Sequence, residues 1–323
     1  MESAMGRGSS FLTVGDAAHV LRTTLISAAA FLTALALAHA YFVEPLLFWP
    51  LASLALASAV LAAYSPLALS RRMTFLAHAQ GHTVLTAALA AAIPAAALSV
   101  GLASPLYLLA TLLFLALFNL AVIAAAKLGF REDVATGVVI SLLLTATTAL
   151  LFAVRSLYST SVDPLAIITG EYVLVTRSDF VKQAPFLLMA AAFPSALGVK
   201  YLYSALDASF AKALGIKVEL YDAAYLASMS LAVAATVYTM GSLMPAVLLV
   251  LPGAVAARLS PRLTDQIPLS ISTALISASC AHFLYAALPW LWPNAALGAV
   301  LFVLLIATSL RPDGRLLTRR RGG

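Results

Sequence analysis

His78 and His82 stand four residues apart in the stretch Ala77-His78-Ala79-Gln80-Gly81-His82-Thr83. On a helix that spacing puts both imidazoles on one face about a turn apart, where two ring nitrogens can reach a single ion. Imidazole suits zinc, iron and copper, whereas manganese favours oxygen ligands. Arg71 and Arg72 lie just before the pair and an apolar run follows it, so the histidines belong to a helix entering a membrane. Ionisable residues inside a membrane are functional candidates by default. The competing reading is two histidines that hydrogen-bond neighbouring helices. A zinc protease uses the same histidine spacing, but Ala79 occupies the position of its general base, which argues against an intramembrane metalloprotease.

The elements around the pair must be transmembrane helices. Of 323 residues, 63% are hydrophobic and 10% are charged, and the mean hydropathy is +1.00. Soluble domains carry about 25% charged residues, so the solvent for most of this chain is lipid. The apolar runs far exceed the ten or so residues of a barrel strand. A span needs about 20 helical residues, and ten segments qualify: 23–42, 46–68, 74–99, 105–126, 134–156, 184–203, 219–239, 243–257, 268–288 and 293–310. With the N-terminus in the cytoplasm, sixteen of the 19 Lys and Arg residues fall inside, and only Arg155, Arg177 and Lys182 fall outside. That bias supports both the count and the orientation, with both termini cytoplasmic in a cell membrane. The net charge of +6 is thus a topology signal, not a nucleic-acid footprint.

Two segments admit two readings. The first ends in Ala38-His39-Ala40 after Arg7 and Arg22, the pattern of a retained helix or of a cleaved signal peptide. The eighth contains Pro245, Pro252 and Gly253, so it is either a broken or re-entrant helix or a proline-kinked span. The longest polar stretch is an external loop from Ser156 to Gln183 that holds Asp163, Glu171 and Asp179. A basic tail after Leu310 should lie against the anionic cytoplasmic membrane face. No GxxxxGK[ST] phosphate loop occurs, so ATP, if used, is hydrolysed in another subunit.

Between the sixth and seventh segments lies Leu206 to Leu226, on the cytoplasmic side of this topology. Asp207 is placed to cap a short helix, Phe210 and Leu214 share one face, and Gly215 can close it in the left-handed conformation. Such a helix docks on a cytosolic partner or lies in the lipid interface. Farther on, Gly241 permits a tight turn and Pro252-Gly253 breaks the return helix.

Taken in this order, the three stretches resemble the zinc/manganese/iron permease family of bacterial and archaeal ABC importers. That family follows arginine-rich residues with Gly-Asp-Ala-Leu-Ser-His-Ala. Here His82 matches the histidine, and His78 stands where the aspartate belongs. The family's cytoplasmic Asp-x-x-x-Ala-x-x-x-Gly segment is matched by Asp207, Ala211 and Gly215. Its Val-Gly-x-Leu-Leu and Pro-Ala-Ala-x-Ala stretches resemble Met240-Gly241-Ser242-Leu243-Met244 and Pro252-Gly253-Ala254-Val255-Ala256. The resemblance covers about residues 46–310, which divides the chain into an N-terminal segment with an added helix or signal peptide (1–45), the permease (46–310) and the basic tail (311–323).

The resemblance implies an all-α polytopic permease that carries no catalytic residue and no bound cofactor. Two copies would pair as a homodimer in the lipid, over a cytosolic ATP-binding subunit and under an extracellular metal-binding protein. It implies that Asp207, Phe210, Ala211, Leu214 and Gly215 form the ATPase coupling helix, and that Gly241, Pro252 and Gly253 shape the gate. It also implies that His82 and His78 contact the transported ion. Imidazole in place of carboxylate removes a negative charge and softens the site, which disfavours manganese; zinc is the cargo expected before manganese or iron. A metal chelate of the siderophore or cobalamin type is the alternative cargo, and a stand-alone secondary transporter is the alternative mechanism.

Overall fold

The computed structural model describes residues 14–70, 74–101, 104–127, 132–157, 164–170 and 172–310. Arg71, Arg72, Arg131, Asp163, Glu171 and the basic tail lie outside the described residues. Apolar, alanine- and leucine-rich runs with no water to satisfy their backbone can only be helices. Accordingly the chain folds as α1 (Val14–Phe42), α2 (Phe48–Ser70), α3 (Thr74–Ala97), α4 (Pro105–Lys127) and α5 (Glu132–Leu157), then a short α6 (Pro164–Thr169). There follow α7 (Arg177–Ala196), α8 (Gly198–Leu206), α9 (Ala208–Ala213), α10 (Val218–Met240), α11 (Met244–Leu248), α12 (Leu251–Leu259), α13 (Leu263–Ala287) and α14 (Pro293–Ser309). Among the described residues, five helices are by themselves long and apolar enough to cross a membrane, and α7 with α8, bent by 52°, passes the same test as a pair, as a broken span or a re-entrant loop does. Each of the ten segments expected from hydropathy coincides with one helix or one broken pair, giving an all-α polytopic membrane fold.

The sixth and eighth segments are the broken ones, and the break in the eighth has a proline cause. Pro252 lacks an amide hydrogen and its ring crowds the carbonyl of Leu248, which ends α11 there and restarts the helix as α12. The segment is therefore a broken helix and not a kinked one. In the sixth, Pro194 lies three residues before the Leu197 junction of α7 and α8. The start of this segment also differs from the expected 184. Thr176 and Asp179 form a capping box, with the Thr176 N–H donating to Asp179 Oδ2 at 2.9 Å, so the helix begins at Arg177. Arg177, Asp179 and Lys182 thus belong to a helix rather than to the external loop.

Helix α2 is the hub. It packs against α13, α7, α12 and α10, and Leu51, Leu54, Leu61 and Leu67 are all buried. A second group, α3 with α4 and α5, joins the hub through α10 and α11. Buried hydroxyls and amides tie the spans where apolar area alone gives no preference for protein over lipid. Ser270 Oγ donates to the Ala62 carbonyl at 2.6 Å, and Tyr107 Oη donates to the Ala88 carbonyl at 3.1 Å. Gln183 accepts from Ser53 and donates to the Ala235 carbonyl at 2.8 Å, linking α2, α7 and α10.

Two glycines meet where α6 ends against the turn after α10. Gly241 has φ +70° and ψ −176°, a region open essentially only to glycine. A Cβ there would come 2.6 Å from the Gly170 nitrogen, and one on Gly170 would come 2.6 Å from the Met240 carbonyl carbon. Asn294 of α14 bonds both strands of this crossing, donating to the Thr169 carbonyl at 2.9 Å and to Met240 at 3.1 Å. Gly241→Ala is therefore expected to destabilise the fold by about 3 kcal/mol. The test is thermal unfolding of the detergent-solubilised protein. An unchanged Tm would mean the crossing yields without cost.

Candidate functional site

Helix α3 carries the expected pair. Position 78 lies one turn before His82 on it, and the His82 side chain is half-buried. Three neighbours of His82 orient the helix. Gly81 faces α11, where an added Cβ would come 2.8 Å from Ala246 Cβ. Gln80 is fully buried and its amide donates to Asn119 Oδ1 of α4 at 2.9 Å. Thr86, one turn after His82, meets Thr147 of α5, oxygen to oxygen, at 2.7 Å. Positions 78, 82 and 86 form a stripe on successive turns of α3, and Thr86 turns its end of that stripe to α5; the His78 side chain lies outside the described residues.

A polar relay on the opposite face of α3, about 200° around the helix from His82, was missed in the sequence reading. Asn119 passes the Gln80 bond onward, donating to Ser230 Oγ of α10 at 2.8 Å. Gln80, Asn119 and Ser230 thus cross three helices at the depth of the histidines. Gln80 Oε1 and Ser242 Oγ are buried without a hydrogen-bond partner. Unsatisfied oxygens in a low-dielectric interior are costly unless a further donor, water or cation reaches them. An amide inside an apolar run was the available signal; what it pairs with was not.

At the other stretch, Asp207 Oδ1 accepts the Phe210 N–H at 2.9 Å and caps α9. Ala211 is buried, whereas Phe210 and Leu214 are 62% and 64% exposed. Gly215 has φ +79° and ends the element. Leu220 is exposed beside them, so an apolar patch protrudes from the link between α8 and α10. The Lys212–Glu219 ion pair of 2.5 Å is exposed and adds little to stability. Far along the chain, Pro252 and Gly253 are buried against α2, where Ser65 Oγ accepts the Gly253 N–H at 2.9 Å. A Cβ on Gly253 would come 2.6 Å from that oxygen, so a close α2–α12 approach depends on this glycine. The histidine stripe, the α9 patch and the α12 break occupy separate places in the bundle.

The profile of the ABC 3 transport family matches residues 45–310. The chain belongs to the ABC 3 transport family. Among solved structures, it is similar to a chain of PsaBC from Streptococcus pneumoniae in complex with Fab, at 17% identity and a TM-score of 0.70, over 87% of this chain and 97% of that one. It is also similar to an inward-facing ABC transporter assigned to the metal-chelate type, at 16% identity and a TM-score of 0.64, over 89% and 98% of the two chains. Identities this low speak for a shared permease fold. No curated protein matches the sequence. As an ABC 3 member the chain is a membrane-spanning transport subunit, and α1 lies outside the matched residues.

Proposed function

We propose that this ABC 3 protein is the permease subunit of an ATP-driven importer whose cargo is a divalent metal ion, zinc before manganese or iron. The observation that carries the reading is the half-buried His82 on α3, with a second histidine at position 78 one turn away. Two imidazoles and no carboxylate make a site softer than manganese prefers. Alternating access moves the ion past this stripe, driven by a separate cytosolic ATP-binding subunit that grips Phe210 and Leu214. A metal-binding protein delivers the ion at the opposite end of the bundle, near Asp179 and Lys182. A second copy of the permease completes the path. The four-residue spacing of Gly137, Ser141 and Thr145 on the largely exposed α5 supports that pairing, because small residues let membrane helices approach closely. The lysine and arginine bias supports a cell-membrane protein with its termini and α9 in the cytoplasm.

The test is elemental analysis of a host lacking its own metal importers, carrying this chain with its ATPase and binding protein. Zinc gain exceeding manganese and iron gain, and lost with a hydrolysis-dead ATPase, is the expected result. Gain that persists with the dead ATPase would instead establish a secondary transporter. A complex that assembles and hydrolyses ATP without accumulating any free ion would favour the second reading, a metal chelate as cargo. That reading is supported by the likeness to a metal-chelate-type transporter.

A further inference from the structure

Helix α1 is fastened to α13 at both ends. Near one end, Arg22 Nη1 donates to Asp265 Oδ1 at 2.7 Å. Near the other, His39 Nδ1 lies 3.1 Å from His282 Nε2. Both pairs are separated by 243 residues, so the two helices run parallel and in register. Between the two fastenings, Ser279 Oγ donates to Thr33 Oγ1 at 3.3 Å. The ion pair explains itself. The histidine pair does not.

His282 is fully buried, and its Nδ1 has no hydrogen-bond partner. Glu44 sits in the link between α1 and α2, and its Oε2 is likewise buried and unpartnered. One ligand atom from each of His39, Glu44 and His282 falls within 4.8 Å of the others. Tyr172 closes the same corner; burial raises its phenol, with Tyr285 and the Glu44 carboxylate adding to the effect. Arg22 on α1 is 17 residues from His39, or roughly 25 Å along the axis, and Arg177 lies over the Trp49 ring; Glu44 forms an ion pair with neither.

A simple hydrogen bond between the rings would use one proton and leave the carboxylate oxygen stranded in a dry setting, an expensive arrangement. A cation held by His39 Nδ1, His282 Nε2 and the Glu44 carboxylate satisfies the two facing nitrogens and the acid, while His282 Nδ1 keeps its proton on the far side of the ring. Nitrogens about 2.0–2.1 Å from a tetrahedral zinc lie roughly 3.3 Å from each other, close to the separation of these rings. Two imidazoles with one carboxylate select zinc-class ions over magnesium or calcium, which take oxygen. Three protein ligands leave a fourth position open, so the ion exchanges with the medium rather than being sealed in.

We propose that His39, Glu44 and His282 form a binding site for one zinc-class divalent ion, distinct from the His78–His82 stripe, that staples the end of α1 to α13. It lies at the end of the bundle where all three tryptophans occur, Trp49 following α1 and Trp290 and Trp292 following α13. Tryptophans gather at the membrane–water boundary, so an ion from the aqueous side has a short way to travel. The site does not depend on the nature of the cargo.

The test uses the full chain, purified with its ATPase subunit, stripped by a chelator and titrated with zinc. The background is His82→Ala, so that no ion at the transport stripe confuses the count. One equivalent of zinc should remain bound per permease chain, and zinc should raise Tm. Cobalt(II) in its place should give the visible absorption of a tetrahedral centre. Glu44→Gln and His39→Ala, both at half-buried positions, should weaken zinc at least about tenfold and erase the rise in Tm. His282→Ala should do the same where it folds. Failure of the His82→Ala protein to bind zinc at low micromolar concentration would overturn the site, as would Glu44→Gln and His39→Ala proteins that bind as tightly as their parent. Survival of metal uptake in His82→Ala cells would count against the cargo reading alone and leave this one standing.

Discussion

His82→Ala is expected to abolish metal accumulation while leaving a folded permease in the membrane. Loss of an outer-shell partner of a metal ligand typically costs 10–100-fold in affinity, and loss of a ligand costs at least as much. With only one further imidazole on the stripe, uptake at limiting metal should fall by on the order of 100-fold. The fold should tolerate the change, because His82 is half-buried and its neighbours hold α3 independently. Gln80 bonds α4, Gly81 seats on α11 and Thr86 meets α5. Measuring zinc uptake together with membrane abundance separates the two effects. Undiminished uptake at wild-type abundance would remove His82 from the path.

The second large effect is expected at the α9 patch. Phe210 and Leu214 are 62% and 64% exposed in the permease alone, so truncating them should barely alter its own stability. If they fill a groove on the ATP-binding subunit, each buried anchor is worth about 2 kcal/mol, or roughly 30-fold in affinity. Phe210→Ala and Leu214→Ala should therefore release the ATPase from purified complexes and stop transport, although ATP hydrolysis by the free subunit continues. Asp207→Ala removes the cap that holds α9 and should cost about 1 kcal/mol, giving a milder version of the same defect. A complex of unchanged affinity in both truncation variants would return the patch to the lipid interface.

Length and charge made the number of spans legible, because a membrane imposes both. Which face of each helix turns inward was not legible. In a soluble protein an apolar stripe marks the core, but in lipid both faces are apolar. Leu115 is fully buried and Leu117, two residues on, is 50% exposed, yet nothing in the run around them tells the two apart. For the same reason the parallel pairing of α1 with α13 could not be foreseen, although it requires an odd number of crossings between them, as a ten-span count has. The α9 cap and its closing glycine were readable, being local. His39, Glu44 and His282 were not, because their proximity arises only when a helix made first meets one made near the end. Pro252 announced a break, but the capping box that starts α7 early was hidden in a stretch that looked like loop.

The register between α1 and α13 has a consequence for how the protein is made. With 243 residues between partners, and synthesis at about 5–20 residues per second, α1 waits roughly 12–50 s in the bilayer before α13 emerges. Throughout that interval Arg22 has no Asp265 and His39 has no His282. The helix must hold its depth with little beside it but α2, and its composition suits the wait: only 17% of its apolar window is buried in the finished protein. The clasp closes late, so neither end of the bundle is final until the penultimate helix has left the ribosome.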